Sequence, residues 1–322
     1  MANRFNFRGE NRRENYFEGW FIKTNDKKND LSVALIPGVA HFSEHESFVQ
    51  YNIVYKDTYY SGKITFSRDE FDVVGDPQTV MMPKFVFNEK GVKASLNDGE
   101  TELLIDFYFG LFLPIRQSLY TPSIMGPLEY LNMPCNHDIV SLRHTVKGRI
   151  SINGEAIELS DALGYIEKDR GSTFPSRYAW AHANGFEHNS EATLFLSAAE
   201  LEKGPLKKEG AIGIFHDGEK EHRFATYYGT VTNMTVSPNK ESYTIIMKDP
   251  FKWLEVTVSL KNGAELIAPM HAGMDYPIKE TVKSDITMTF IQKNGPTYHL
   301  KSSSGAGELV NWESVEREHI SK

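Results

Sequence analysis

Short apolar runs broken by turn residues roughly every 8–12 positions constrain this chain more than any other feature of its sequence. Lys90-Gly91, Asp98-Gly99 and Asn153-Gly154 are two-residue hairpin signals. Between and around them Ser47–Tyr55, Thr58–Phe66, Phe71–Val74, Lys84–Phe87, Val92–Leu96 and Glu102–Phe109 follow one another at that spacing. Leu31–Phe42 is an apolar run bent by Pro37-Gly38, and Ile139–Ile152 is again strand-like. From Ala192 the meander returns through Ala192–Ala199, Ala211–Phe215, Arg223–Tyr228, Tyr243–Met247, Leu254–Leu260, Glu265–Ile267, Ile286–Gln292 and Tyr298–Lys301. No helical pattern of useful length intervenes, which argues against an α/β fold. The spacing predicts an all-β protein built of antiparallel sandwiches or barrels.

At 322 residues the chain exceeds the usual size of one domain. Its halves carry similar strand counts with no residue-level repeat, so two successive β-domains are expected, over 1–170 and 171–322. Three stretches break the rhythm. The first 15 residues read as a polar arm that ends at Tyr16. Gly110–Asn136 holds Pro114, Pro122, Pro127 and Pro134 in one connection, of a length that usually marks a lid or partial helix. The tail Gly307–Ile320 reads as one short helix.

Composition removes several classes of function. A net charge of −8 opposes a sequence-independent nucleic-acid surface. The single cysteine, Cys135, excludes an intrachain disulfide and any Cys-rich metal framework. The N-terminus has no apolar segment of a secretory signal, and no run reaches the roughly 18 residues of a membrane helix. Asn233-Met-Thr is therefore a glycosylation sequon in form only, and the expected compartment is the cytoplasm. His41 and His45 lie four apart beside Glu44 and Glu46, but the zincin order is absent and the context is strand and turn, so a solvated turn is expected there rather than a metal. Cys135 with His137 and His144 carries no signature of a thiol nucleophile. Ser304–Gly307 opens no βαβ unit, and no Gly-x-Ser-x-Gly elbow exists, so nucleotide binding and serine hydrolysis drop out.

The densest chemistry lies in Gly164–Phe186, where Glu167, Lys168, Asp169, Arg170 and Arg177 sit among Tyr165, Phe174, Tyr178 and Trp180. Burying such charges is costly unless each is paired or used. In a strand, Tyr165, Glu167 and Asp169 share one face, while Lys168 and Arg170 point to the other. Tyr178, Trp180, His182 and Asn184 likewise share a face. Two readings fit: a pocket wall, or a surface hairpin whose charges pair with one another.

Tyr16–Lys23 (YFEGWFIK) and residues 126–186, including GPLEY and GYIEKD followed by FPS, resemble the tocopherol cyclase family. The match covers eight early and about sixty contiguous central residues, and residues 190–322 match only loosely. The resemblance implies two lipocalin-like β-domains, related to carotenoid hydratases of the hydroxyneurosporene synthase type. It also implies closure of the chroman ring of a prenylated hydroquinone without a cofactor. Arg170 stands where Trp is expected in the plant-type enzymes, and Phe21 where Tyr is usual, which bears on which prenyl substrate fits.

That chemistry adds a phenol O–H across an alkene, so it needs a proton donor, a stabiliser of positive charge and a proton acceptor. Asp169 and Glu167 are the expected acid and acceptor, with Glu18 and His144 as second choices. Lys168 or Arg170 would bias the carboxyl pKa values. The aromatic faces of Trp20, Tyr165 and Trp180 would steady a cation. Phe17, Trp20, Tyr130, Tyr165 and Trp180 are expected to converge on one apolar cavity, with Phe174, Tyr178 and His182 completing the ligand set. The expected partner is a small hydrophobic or prenylated aromatic ligand, with peripheral membrane contact as a route of substrate access and no nucleic acid. The alternative is a carrier that holds such a ligand unchanged. Among the nonchemical roles, Glu18 could pair with Lys23, and Trp20 could be core.

Overall fold

The computed structural model describes residues 3–313 except 13, 132, 204, 205 and 272. Two compact units emerge. The first comprises Met1–Met125, Leu131–Phe174 and Leu266–Pro277, and the second Gly126–Tyr130, Pro175–Glu265 and Ile278–Lys322. The division after Phe174 falls four residues beyond the expected boundary, and it is not a clean cut, because each unit takes a segment from within the other's stretch of chain.

In the first unit a meander of β1 (Tyr16–Asp26), β2 (Leu31–His41), β3 (His45–Tyr55) and β4 (Thr58–Ser67) runs outward from the middle of one sheet. The remaining strands are β5 (Asp72–Val74), β6 (Thr79–Met82), β7 (Phe85–Asn88), β8 (Gly91–Asn97), β9 (Glu102–Phe109), β10 (Cys135–Ile152) and β11 (Glu155–Gly171). They run back inward, so the sheet order is β4-β3-β2-β1-β11-β10-β9-β8-β7-β6-β5, antiparallel throughout. The second unit repeats the plan with β12 (Tyr178–Phe186), β13 (Asn189–Lys203), β14 (Leu206–His216), β15 (Glu221–Ala225), β16 (Val231–Val236), β17 (Ser242–Lys248), β18 (Lys252–Ser259), β19 (Ala264–Met270), β20 (Gly273–Gln292) and β21 (Thr297–Val310). Its order is β15-β14-β13-β12-β21-β20-β18-β17-β16, with β19 on β20. In both units the first strand pairs with the last. The two-domain, lipocalin-like all-β expectation holds, and no helix among the described residues is long and apolar enough to cross a membrane. Gly307–Val310 extends β21 rather than starting a helix, and residues 314–320 of the expected helix lie outside the described residues.

Alternation explains the cores. Trp20, Ile22, Val33, Leu35, Ile53, Phe85, Phe87, Ile105 and Ile166 meet in the first unit's interior. Leu194, Phe215, Tyr243, Val256, Ile286 and Phe290 do so in the second. The N-terminal arm is not the solvated polar segment its composition suggests. Phe5 is fully buried against Phe87 (4.9 Å) and Trp20 (6.0 Å), and Phe7 packs on Phe71 (5.2 Å). Trp20 Nε1 donates to the carbonyl of Phe5 (3.0 Å). Each such ring contributes about 1.5–3 kcal/mol by burial, which offsets part of the cost of ordering the segment around it.

The arm also closes over a buried ion pair. Lys168 Nζ lies 2.9 Å from Glu18 Oε1, both side chains wholly shielded from water. Glu18 further accepts from Tyr16 Oη (2.5 Å) and the Arg8 amide (3.0 Å), while Lys168 donates to the carbonyl of Asn6 (2.5 Å). Burial pulls the Lys168 pKa down against the pull of Glu18. With these partners in place the pair is tolerable; with one partner gone, it is not. Lys168→Met is expected to cost about 3–5 kcal/mol, and Glu18→Leu combined with Lys168→Met to regain most of that loss. Urea unfolding of the three proteins checks this. Equal stability of wild type and the single variant would show the pair to be energetically idle.

Candidate active site

β11 lies between β1 and β10, and its register lays out the outer face of the first unit row by row. Phe17, Gly171 and Cys135 form one row; Gly19, Asp169 and His137 the next; Phe21, Glu167 and Ile139 the third; Lys23 and Tyr165 the fourth. Cross-strand neighbours share a face, so these rows bring His137 against Glu167 and Asp169, which are distant from it in sequence. His137 Nδ1 lies 2.7 Å from Asp169 Oδ1, and His137 Nε2 lies 3.0 Å from Glu167 Oε2. Tyr165 Oη donates to Glu167 Oε2 (2.5 Å), and Cys135 Sγ lies 3.8 Å from Asp169 Oδ1. Gly19 faces Asp169 from β1. A Cβ there would meet backbone, Pro37 O at 3.2 Å and Gly38 Cα at 3.6 Å, so glycine is the residue that lets β1 and β2 approach so closely opposite the carboxylate. The apolar wall next to it is Phe17, Ala40, Phe42 and Phe48, against which Cys135, Phe174 and Met274 pack. Met274 comes from the Leu266–Pro277 segment, which Gln50 holds by bonding both the amide and the carbonyl of Ile267 (2.8 and 2.9 Å).

The electrostatics follow from that packing. Burial alone would lower the His137 pKa, but Asp169 and then Glu167 outweigh it and hold the imidazole well above its ordinary value of 6.5. His137 is therefore an imidazolium at neutral pH, its Nδ1–H donated to Asp169 and its Nε2 in ion-pair contact with Glu167. Burial pushes the Cys135 thiol up, so it is no ready nucleophile. The donor atoms of His137, Glu167 and Asp169 lie within 4.8 Å of one another, a set that could also hold a divalent cation in place of the proton.

The expected site residues fall into three groups. Tyr165, Glu167 and Asp169 share the outer face, and Phe174 stands at its apolar wall, 5.3 Å from Phe17 in an edge-on pair. Glu18, Trp20, His144, Lys168 and Arg170 occupy the inner face instead. Trp20 is core, so it cannot line a cavity with Tyr165 across the sheet. Glu18 pairs with Lys168, not with Lys23, which donates to Asn25 (2.9 Å). Arg170 lies 3.8 Å from Asp138, which also holds Arg4 (2.7 Å). Tyr178, Trp180, His182 and Tyr130 belong to the second unit. There Tyr178, Trp180 and His182 do share one buried face of β12, with Tyr178 Oη donating to Glu308 (2.7 Å), whereas the Tyr130 side chain is largely exposed. His41 and His45 pair with each other (3.2 Å) at a hairpin end, and His41 also receives the Arg68 Nε–H (3.2 Å).

His137 is the residue that composition underrated. Cys135, His137 and Ile139 alternate onto one face, but only the β10–β11 register brings that face against Asp169. His144 is a different case. Ser141 Oγ donates to the carbonyl of Arg143 (3.0 Å), so its contact with His144 Nδ1 (3.0 Å) has the imidazole as donor. The ring lies between Phe109 and Phe112, both centroids at 4.8 Å, and its Nε2 sits where a Cβ on Gly164 would be 2.2 Å away. Gly164 is thus the glycine that makes room for this histidine, and burial pushes the His144 pKa down to about 3.

These two histidines have opposite linkage. The raised His137 pKa contributes stability in full below about 6.5 and loses it as pH rises through the folded value. His144 stays neutral in the fold, so stability falls as pH drops from about 6.5 toward 3 and only the unfolded chain takes that proton. The unfolding free-energy difference between wild type and His137→Gln is expected to be largest below pH ~6.5 and to shrink above it. Denaturant melts across pH check it; a difference that grows with pH reverses the assignment.

The Tocopherol cyclase-like family model matches residues 119–310, well over half of the chain. A rice protein (Oryza sativa subsp. japonica) named Probable tocopherol cyclase, chloroplastic, is 27% identical over 169 residues, 51% of this chain but only 34% of that protein's length. Three crystal structures share the fold at low identity. CghA aligns with a TM-score of 0.56 at 8% identity, over 92% of this chain and 88% of its own. A protein assigned as AttH from Nitrosomonas europaea aligns at 0.54 and 12%, over 91% and 92%. Kievitone hydratase from Nectria haematococca aligns at 0.53 and 10%, over 92% and 88%. The chain belongs to the tocopherol cyclase-like family.

Proposed function

We propose that this protein is a cofactor-free enzyme that adds an O–H group across an alkene of a prenylated hydroquinone or a similar isoprenoid. Ring closure and hydration are the same chemistry with the nucleophile inside or outside the substrate. The observation that carries the reading is one imidazolium held between two carboxylates of the same strand face, hydrogen-bonded to Asp169 through Nδ1 and ion-paired with Glu167 through Nε2. The reaction changes no oxidation state overall, so proton donors and acceptors suffice.

The residues divide the work as follows. His137 passes its Nδ1 proton to Asp169 across their 2.7 Å hydrogen bond, and Asp169, opposite Gly19 of β1, presents it to the alkene. The carbon that gains the proton leaves its neighbour cationic, where the rings of Phe17 and Phe174 lie at the adjoining wall. The phenol or water oxygen attacks that cation and gives its proton to Glu167, which stands 3.0 Å from Nε2. Nε2 has kept its own hydrogen, so the imidazolium is restored at Nδ1, by a proton that returns through Asp169 as Glu167 releases its proton to water. Tyr165 holds Glu167 in place. A carrier function has less support, because the interior that a lipocalin-type carrier would leave empty is filled in the first unit by Phe5, Phe7 and Trp20.

Asp169→Asn and Glu167→Gln are each expected to lower kcat by about 10²–10⁴ while leaving affinity for a prenyl-hydroquinone analogue nearly unchanged, since the groups act in the transition state. Turnover in D₂O is expected to place one deuterium on the former alkene carbon. Full activity in both variants, or product without deuterium, sinks the proposal.

A further inference from the structure

The Pro-rich connection contains an ordered turn that offers apolar side chains to solvent. Ser118 N donates to the carbonyl of Thr121 (3.1 Å), Thr121 N donates to Ser118 Oγ (3.0 Å), and the two hydroxyls lie 2.8 Å apart. At its tip Leu119 is 88% exposed and Tyr120 58% exposed. The turn is rooted on both sides by buried Ile115, Thr121, Ser123 and Ile124, and Arg4 bonds the carbonyl of Pro122. Nearby, the segment runs along β10 through Gly110 N to Thr145 O (2.8 Å) and Leu113 N to Arg143 O (3.0 Å), leaving Leu111 97% exposed between them. A floppy loop could fold such side chains away, but this one is pinned with them outward.

We propose that this turn docks the protein on the surface of a lipid bilayer, Leu119 entering the acyl boundary and Tyr120 resting at headgroup level. Two arguments select a bilayer over a protein partner. Two side chains on a turn tip bury a few hundred Å² at most, well below the roughly 800 Å² per partner of a stable protein interface, whereas insertion of a few side chains suffices for reversible membrane contact. Charge points the same way. Gly110–Asn136 carries only Arg116 and Glu129, although 24% of the whole chain is charged and its net charge is −8. This neutral segment can approach phosphate headgroups that would repel the rest of the surface. The partner is thus a bilayer recognised by hydrophobic insertion and not by basic residues. The inference accords with the amphiphilic substrate of the proposed function, but its binding test does not rest on that reading.

The test is co-sedimentation of the full chain with phosphatidylcholine vesicles. Wild type is expected to partition onto them, with little change when salt rises from about 0.1 to about 0.5 M. Leu119→Asp with Tyr120→Asp is expected to lower partitioning by about tenfold or more, and Leu111→Asp by less. Leu104→Asp, the same apolar-to-charged change at an exposed position on β9, is expected to bind like wild type. Thermal melts establish that each variant is folded. The proposal is overturned if wild type stays in the supernatant, if the double variant binds as well as wild type, or if Leu104→Asp loses as much. It is equally overturned if the double variant changes only the sedimentation coefficient of the free protein, which would make the turn a self-association surface. With a soluble short-prenyl analogue the double variant is expected to keep wild-type kcat and KM. Vesicle binding by a wild type that turns over neither soluble nor membrane-borne substrate would defeat the proposed function and leave the docking inference standing.

Discussion

The closed Glu18–Lys168 ion pair governs how the centre of the first unit is used. A lysine and a glutamate with no water to solvate them must find every partner within the protein, and here Tyr16, Arg8 and Asn6 supply those partners. Meeting that demand draws the N-terminal arm across the interior and brings Phe5 and Phe7 with it. The same alternation that sends Lys168 inward sends Glu167 and Asp169 outward. The cations of β11 are thereby held on the far side of the sheet from its carboxylates. The positive charge beside those carboxylates comes instead from His137 on the neighbouring strand.

Much of this was legible in residues read one strand at a time. Turn pairs and alternation were enough for an all-β, two-domain chain, and they sorted Tyr165, Glu167 and Asp169 from Lys168 and Arg170. What lay beyond such a reading was whatever depends on which strand neighbours which. Trp20 seemed a pocket aromatic until its pairing with Lys168 put it on the core side. His137 carried no motif of its own, because its partners lie about thirty residues away and meet it only through register. The arm misled for a compositional reason: its charged residues dominate a count, while two phenylalanines decide where it goes.

Filling the interiors has a bearing on how this family's fold can serve chemistry. Each sheet carries a packed hydrophobic cluster on one face, so the groups proposed to react lie on the opposite, outer face of the central strands. Those faces are themselves shielded, which is the condition under which a carboxylate and an imidazolium interact strongly. In both units a tyrosine hydroxyl on that face donates to a glutamate, Tyr165 to Glu167 and Tyr178 to Glu308. A core that is complete in itself frees the outer surface of the strands to vary in chemistry without loss of the fold.

The exchange of segments between the units has a consequence during synthesis. The hairpin around Leu266–Pro277 belongs to the first unit, yet the ribosome makes it only after most of the second unit's strands. Until then the wall of Phe17, Phe42 and Phe48 lacks the cover that Met274 provides, and Gln50 lacks the backbone of Ile267. The nascent first unit therefore cannot finish folding ahead of the second, as consecutive domains ordinarily do. The face that carries His137, Glu167 and Asp169 is thus completed last, only when nearly the whole chain has left the ribosome.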